Sequence, residues 1–187
     1  MKKFKLTSEF IVDISGVKLF RIKALIEFGN VKAGDLGGYI EKEENLSHMG
    51  DAWVSDDARI SGNAQVFGNA QVFGDAQVFG DAWVFGNARV SGNARVSGNA
   101  RVSGDAQVFG DARVSGDKDY AYAHGFGSCN RTTTFFRLKD GDVGVRCGCF
   151  YGTLAQFRDK VCETHGETKK AQEYLMLADL MEIRFKN

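Results

Sequence analysis

The stretch NARVSGNARVSGNARVSG, residues 87–104, is one hexapeptide written three times. The same frame extends over residues 51–116, where eleven aliphatic residues stand six positions apart and Ala precedes each of them by two positions. The aliphatic residues are Val54, Ile60, Val66, Val72, Val78, Val84, Val90, Val96, Val102, Val108 and Val114. Because residues two apart on a strand lie on one face, each unit predicts a short strand with one buried face.

The corners between these strands are marked by Gly followed by Asn or Asp in most units. These residues tolerate left-handed backbone angles better than others do. Three units of six residues close a triangle of 18 residues, and stacked triangles lie about 4.8 Å apart. Ile40 and Leu46 are also six apart, so we expect them to belong to the same series and the coil to occupy residues 36–117.

The segment before the coil, residues 1–35, predicts a β-hairpin that caps the open end. The strand-like runs EFIVDI and VKLFRIKAL flank Ser15 and Gly16, which suit a tight turn. The stretch KAGDLGGYIEKEENL should then lead the chain into the first coil.

The segment after the coil, residues 118–187, predicts a small α+β module. A second hairpin is expected across Gly141 and Asp142, between TTTFFRLKD and VGVRCGCF. Thr153 and Gln156 form a capping-box pattern for a helix from Leu154 to about Thr164. A second helix is expected to share one apolar face among Ala171, Tyr174, Leu175, Ala178 and Met181.

The composition excludes several partner classes. Twenty-four basic residues balance 24 acidic ones, so no overall field attracts extended nucleic acid or an anionic membrane. No apolar run is long enough for a secretory signal or a membrane-spanning helix. The four cysteines then indicate reduced thiols, and we expect a cytoplasmic protein.

The coil resembles the left-handed parallel β-helix of the hexapeptide-repeat proteins. The lead-in VKAGDLGGYIEKEENLS and the C-terminal pieces CGCFYGTLAQF, THG and KKAQEYL resemble segments of such proteins from phages and prophages. These relatives are labelled polymer-forming proteins or transferases, and the labels imply no defined activity. The resemblance implies a mainly β, left-handed β-helix and, where the family is enzymatic, trimeric acyltransferases that bind coenzyme A.

Acyl transfer is nevertheless the alternative rather than the leading hypothesis. That chemistry generally needs a histidine as general base, and residues 51–116 contain none. His48 and His124 lie just outside the coil and are the candidates if the protein is an enzyme; His165 lies further on. A structural or assembly scaffold is a third possibility.

The pair Cys147 and Cys149 makes a zinc site in the C-terminal module one possibility. Further potential ligands are Cys129, Cys162, His124 and His165. However, Cys-x-Cys on a strand directs both thiols to one face, shared with Val143 and Val145. Buried Cys behaves as a small hydrophobe, so we expect core cysteines, with no metal site and no cofactor.

The outward residues of the coil change in blocks. Arg accompanies Ser in some units, whereas Gln or Trp accompanies Phe in others. Guanidinium groups beside small hydroxyls suit phosphate or carboxylate, so these residues are the candidate ligand site: Arg89, Arg95, Arg101, Arg113, Ser91, Ser97 and Ser103. Alternatively, the arginines only keep the coil soluble and pair with Asp at the corners.

The aromatic residues of the coil predict a homotrimer. Phe67, Phe73 and Phe79 ring one level, and Phe85 begins the next level above Phe67. An exposed belt of this size favours burial by threefold self-association. The expected interface residues are Phe67, Phe73, Phe85, Phe109 and Trp83, while Phe79 should face outward.

These observations lead to one expected function. The chain should be a non-enzymatic, trimeric accessory protein of the phage type that binds a small anionic or nucleotide-like ligand. One concrete form is sequestration of a host immune signal in the host cytoplasm, as an anti-defence sponge. That form follows from the resemblance and not from the spacing of residues.

Overall fold

A computed structural model describes residues 2–186. The chain forms an N-terminal hairpin, a parallel β-solenoid of about four turns and a C-terminal sheet covered by two helices. The mainly β solenoid fold expected from the six-residue period is thereby confirmed.

The N-terminal hairpin consists of β1 (Phe4–Val12) and β2 (Lys18–Ala24), which pair antiparallel. Its turn is closed by Asp13, whose Oδ1 accepts hydrogen bonds from the backbone N–H groups of Ser15 and Val17 at 2.8 and 2.9 Å. β3 (Leu36–Ile40) pairs antiparallel with β2 and parallel with β5 (Arg59–Ile60) of the solenoid. The predicted hairpin is confirmed, and it widens one wall of the solenoid.

The solenoid contains eleven strands of two residues each. They are β4 (Trp53–Val54), β5 (Arg59–Ile60), β6 (Gln65–Val66), β7 (Gln71–Val72), β8 (Gln77–Val78), β9 (Trp83–Val84), β10 (Arg89–Val90), β11 (Arg95–Val96), β12 (Arg101–Val102), β13 (Gln107–Val108) and β14 (Arg113–Val114). Every third strand stacks in one sheet, which gives three walls. We call β4-β7-β10-β13 face 1, β5-β8-β11-β14 with the N-terminal strands face 2, and β6-β9-β12 face 3.

Each residue in the regular coils lies beside the residue 18 positions later, as Gln71 beside Arg89. The first coil is longer, because Ile40 pairs with Ile60 and Leu46 bridges to Val66, a spacing of 20. The expectation that Ile40 and Leu46 continue the six-residue series is therefore wrong for the step to Val54. Two extra residues lie in that corner, where eight positions separate Leu46 from Val54.

The core is a stack of Ala and aliphatic residues. The repeat alanines and aliphatic residues from Ala52 to Val114 are at most 1 % exposed. Ten of the eleven corners place Gly at φ between 60° and 71°, and Asp56 takes the same conformation at φ 56°. A Cβ on Gly80 would lie 3.1 Å from the backbone of Gly98, so close stacking also requires the missing side chain.

The hydrogen-bond ladder gives the solenoid two different ends. Each lower coil donates its N–H groups to carbonyls of the coil above, as Arg59 N does to Ala76 O. At these corner and strand-end positions the first coil has C=O groups without a partner coil at the lower end, and the last coil has N–H groups without one at the upper end.

Side chains from outside the repeat satisfy both sets of groups. At the lower end, Lys3 Nζ donates to the carbonyls of Gly50 and Ala52 at 3.2 and 2.7 Å. Asn45 Nδ2 donates to two further carbonyls, those of residues 62 and 64. At the upper end, Asp119 Oδ2 accepts from the backbone N–H groups of residues 115 and 116.

The C-terminal module is a four-stranded antiparallel sheet with two helices. Its strands, in sheet order, are β15 (Tyr120–Phe126), β16 (Arg131–Arg137), β17 (Val143–Cys147) and β18 (Phe150–Thr153). Helix α1 spans Leu154–His165 and α2 spans Lys169–Phe185. The predicted hairpin, the capping box at Thr153 and both helices are confirmed, whereas strands β15 and β18 were not predicted.

The module sits on the last coil through specific contacts. Phe136 is fully buried in the solenoid core, and Thr134 Oγ1 accepts a hydrogen bond from Gln107 N at 2.9 Å. Neither helix of residues 2–186 has both the length and the apolarity needed to cross a bilayer.

Candidate functional site

Face 3 carries the most aromatic surface of the solenoid. The rings of Phe67 and Phe85 are parallel within 3° with centroids 5.0 Å apart, as expected for residues one coil apart. Trp83 meets Phe67 edge-on at 6.0 Å and is 36 % exposed. This stacked group forms a continuous apolar strip along the face.

Face 1 is partly covered by the chain itself. Phe73, Ser91 and Phe109 share one column, as expected, and Ser91 is only 4 % exposed between the two rings. Tyr151 packs on Phe109 with ring centroids 5.0 Å apart, and the Arg146 guanidinium lies 5.1 Å from the same ring. The C-terminal module thus occupies part of the surface that was predicted to meet another subunit.

The aromatic belt is half-buried and not freely exposed as the sequence suggested. Two causes act together, because the rings stack on one another and arginines lie over them. The Arg95 guanidinium is 5.4 Å from the Phe79 ring, and that of Arg101 is 4.9 Å from Trp83. Such cation–π contacts hold a guanidinium in place without neutralising its charge.

The predicted pairing of arginines with corner aspartates is not present. Between residues 2 and 186, no ion pair involves Arg59, Arg89, Arg95, Arg101 or Arg113. The corner carboxylates instead accept hydrogen bonds from asparagines one coil below, as Asp105 does from Asn87 at 3.0 Å. The arginine charges therefore remain available to a ligand.

Two arginines on face 2 are direct neighbours, since Arg95 and Arg113 pair across β11 and β14. Like charges at this spacing repel, and the two side chains turn apart. Arg113 Nη1 donates to the carbonyls of Asn93 and Ala112 at 3.0 and 2.8 Å, whereas Arg95 lies over Phe79. Arg95 Nε is buried without a hydrogen-bond partner among the described residues.

A groove of about 600 Å³ follows face 2 between these arginines and the hairpin tip. Its charged lining consists of Arg59, Arg95, Arg113, Asp13 and Asp75. We call it the face-2 groove, and its lining carries three positive charges against two negative ones. It is a moderately basic surface.

Arg89 lies in a different setting on face 1. A groove of about 710 Å³ surrounds it there, and its lining includes Asp51, Asp56 and Asp105. One guanidinium among three carboxylates is a poor anion site, because the carboxylates repel the same ligand that Arg89 attracts. The electrostatic surroundings of Arg89 therefore differ from those of the other predicted ligand arginines.

Arg101 lies in a third setting, where face 3 meets the C-terminal module. A cleft of about 470 Å³ is lined there by Phe85, Arg101, Ser103, Asp117, Tyr120, Ala121, Tyr122 and Arg184. We call it the face-3 cleft. Three of these residues, Arg101, Ser103 and Phe85, were singled out in the repeat.

The residues contributed by the module were missed. Tyr120 is 8 % exposed and its hydroxyl donates to the carbonyl of Arg101. Burial raises the pKa of Tyr120 despite hydrogen bonds with Ser103, so this hydroxyl stays a donor near neutral pH. Tyr122 and Arg184 follow no repeat, and the only available signal was that Arg184 lies off the predicted buried stripe of α2.

The candidate histidines outside the coil are engaged in other contacts. His48 Nδ1 faces Lys3 N at 3.1 Å, its Nε2 faces Glu43 Oε1 at 2.8 Å, and its ring stacks on Phe4 at 4.3 Å. These contacts secure the lower end of the solenoid. His124 is exposed, with Nδ1 2.9 Å from Thr132 Oγ1.

The expectation of paired core cysteines is half wrong. Cys147 ends β17, is half-buried and accepts a hydrogen bond from Thr133 Oγ1 at 3.2 Å. Cys149 lies in the following turn and is exposed, because β17 ends before it. All four cysteines are free thiols, and nowhere in residues 2–186 do three or more His, Cys, Asp or Glu side chains converge as metal ligands.

The comparison with known families agrees with the architecture. The YdcK beta solenoid repeat matches residues 58–74, 82–97 and 94–106. These matches lie within the stacked coils and show that the repeat is similar to a β-solenoid repeat. The search of curated proteins found no match to the chain.

Proposed function

We propose that this protein binds a small anionic, nucleotide-like ligand and does not convert it. The observation that carries the proposal is the state of the solenoid arginines. They lie on the outer faces beside grooves, and no carboxylate within residues 2–186 neutralises them in an ion pair. Guanidinium groups held by ring contacts are prearranged donors for phosphate or carboxylate.

A binding role is favoured over acyl transfer by the environment of His48. A general base needs a free ring nitrogen directed at the substrate, whereas both nitrogens of His48 face groups of the lower end. Acetyl-coenzyme A nevertheless belongs in the ligand panel, because its binding with turnover would favour the enzymatic alternative.

The proposed assembly is a trimer that buries face 3 and the Phe73 side of face 1. The parallel rings of Phe67 and Phe85 offer the apolar contact, and burial of one such ring contributes about 2–3 kcal/mol. Face 2 is joined to β1–β3, which supports an outward position for it. Ligand would then bind at the edges of the buried faces.

The biological role that we propose is the one implied by the resemblance to phage and prophage proteins. A phage-type protein with these properties would sequester a nucleotide-like immune signal in the cytoplasm of the host. The chemistry needed is the same for any small phosphorylated ligand, so the binding test does not depend on the source of the protein.

Titration calorimetry tests the proposed function. The wild-type chain is titrated with cyclic mononucleotides and dinucleotides, ADP-ribose, AMP and acetyl-coenzyme A. At least one phosphorylated ligand should bind, and changing Arg59, Arg89, Arg95 and Arg101 together to Gln should weaken it by about tenfold or more. Gln already occupies this repeat position at Gln65, Gln71, Gln77 and Gln107, so the solenoid tolerates it.

A matched control removes the same charge elsewhere. Changing Lys5, Lys160, Lys169 and Lys170 to Gln alters exposed positions that line none of the three grooves. This variant should bind within about twofold of wild type, since the charges lie away from the grooves. Absence of heat for every phosphorylated ligand with the folded wild-type protein contradicts the proposed function.

A further inference from the structure

Resting on the proposed function, we infer that the face-3 cleft is the ligand site and that it takes a ring-bearing phosphate such as a nucleoside monophosphate. Arg101 and Arg184 bind the phosphate, while the exposed Tyr122 contacts the flat ring. This assignment gives the C-terminal module a role in recognition and makes the two predicted residues Arg101 and Ser103 part of one site.

The aromatic side of the cleft combines β15 of the C-terminal module with Phe85, which follows β9 of the solenoid. Tyr120 and Tyr122 are two apart on β15, so both side chains leave the same face of the strand. Tyr120 is fixed by its bond to the Arg101 carbonyl, whereas Tyr122 remains 39 % exposed. An exposed ring beside the half-buried Phe85 is available for stacking.

Gly104 allows Tyr122 to approach the last coil. A Cβ at this position would clash with the hydroxyl and ring of Tyr122, and Gly104 has φ 62°. The corner glycine of the repeat therefore also serves the junction with the module. This contact fixes the position of Tyr122 beside the outward row that contains Ser103.

The two cationic groups of the cleft are held by different means. Arg184 Nη2 donates to the carbonyls of Asp117 and Tyr120 at 3.0 and 3.3 Å, near the end of α2. Arg101 lies over Trp83 at 4.9 Å. Both guanidinium groups are thus positioned before a ligand arrives, which reduces the entropic cost of binding.

The charge of the cleft favours an anion. Asp117 is its only carboxylate among the described residues, and Asp117 Oδ1 accepts a hydrogen bond from the Arg101 backbone N–H at 2.8 Å. Two guanidinium groups against one engaged carboxylate leave a net positive site. A volume of about 470 Å³ lies within the range of small-molecule sites.

Calorimetry with three probes tests this inference: AMP, adenosine and inorganic phosphate. AMP should bind the full-length protein, and adenosine and phosphate should each bind at least about tenfold more weakly, because each lacks one half of the recognition. Arg184→Gln and Tyr122→Ser should each weaken AMP by about tenfold. Arg184→Gln is the more decisive variant, since it changes an exposed side chain.

The control is Lys160→Gln, which removes an exposed positive charge on α1 outside the cleft lining and should bind AMP within about twofold of wild type. If AMP binds with unchanged affinity in Arg184→Gln and in Tyr122→Ser, the site is elsewhere and the inference is overturned, while the proposed function stands. If Arg59→Gln or Arg95→Gln carries the loss instead, the face-2 groove is the site. If no phosphorylated ligand binds wild type, the proposed function fails as well.

Discussion

At the lower end of the solenoid, Lys3 and Asn45 close the first coil with hydrogen-bond donors. At the upper end, Asp117, Asp119 and Thr134 close the last coil with acceptors. The difference follows from the corners and strand ends of the parallel ladder, where N–H groups of one coil donate to C=O groups of the next coil toward the C-terminus. This solenoid is therefore capped mainly by donors at its lower end and mainly by acceptors at its upper end, where the Tyr120 hydroxyl that donates to the Arg101 carbonyl is an exception.

This comparison bears on how copies of the chain associate. An open lower end would present the carbonyl edge that fits the N–H edge of an open upper end, and end-to-end stacking would give filaments. Side chains from outside the repeat occupy both edges. In the proposed trimer the contacts between copies would then lie on the three faces, which is why the scaffold alternative is less favoured than a closed oligomer.

The largest effect is expected at the upper end, from Asp119→Ala. Asp119 is 7 % exposed and accepts from Ser115 N, Ser115 Oγ and Gly116 N at 2.9, 2.7 and 3.1 Å. Loss of a buried charged acceptor for three donors should lower the free energy of unfolding by about 3 kcal/mol, measured by urea denaturation.

The control for this variant is Asp119→Asn, which keeps one acceptor oxygen and should lose less stability. Burial alone would raise the pKa of Asp119, but the hydrogen bonds from Ser115 and Gly116 outweigh it and hold the pKa below its usual 3.8. The contribution of the carboxylate is therefore present above that pH and is lost as the pH falls through the folded-state pKa. Equal stability of Asp119→Ala and wild type at pH 7 would contradict acceptor capping.

A smaller effect, with its pH dependence in a more alkaline range, is expected at the lower end from Lys3→Met. Lys3 is 1 % exposed, and its Nζ lies 4.6 Å from the Phe28 ring besides capping two carbonyls. Removing the donor should cost about 1–2 kcal/mol at pH 7, because relief of a buried charge offsets part of the lost hydrogen bonds.

The pH response separates donor capping from simple packing. Burial lowers the pKa of Lys3 from 10.5 to about 8, with Asp51 opposing the shift. Between these values the unfolded chain binds more protons than the folded one, so stability gained through Lys3 rises with pH. The difference in free energy of unfolding between wild type and Lys3→Met should therefore widen from pH 8 to pH 10.5. The control is Lys2→Met, which removes an exposed ion pair and should show no such widening. A constant difference over this range would refute the assigned role of Lys3.

The regular coils were predictable because the period is local. Ala at one position and Val two positions later define a buried face independently of the rest of the chain. Because the period is regular, Phe67 was correctly predicted to lie beneath Phe85. The first coil was mispredicted. Ile40 and Leu46 are six apart, but Leu46 and Val54 are eight apart, and the prediction overlooked this break in the period although it is visible in the sequence.

The caps and the cleft could be predicted only in part, because they depend on contacts between distant residues. Lys3 reaches carbonyls 47 and 49 positions away, and Arg184 meets Asp117 across 67 positions. Arg101 and Ser103 were identified from the repeat, but Tyr122 and Arg184 belong to a module without periodicity. Cys149 was misplaced because the end of β17 could not be located from alternation alone.

If both ends of the solenoid are closed, copies of this protein should associate through the aromatic faces, and sedimentation velocity of the intact chain measures that association. Wild type should sediment as a species of three chains at all concentrations above its dissociation constant. Changing Phe67, Phe73 and Phe85 to Ser, which the repeat carries at Ser91, Ser97 and Ser103, should give a folded monomer, while Phe79→Ser should stay trimeric. Filaments that lengthen with concentration in wild type, or a triple variant that remains a trimer, would contradict this expectation.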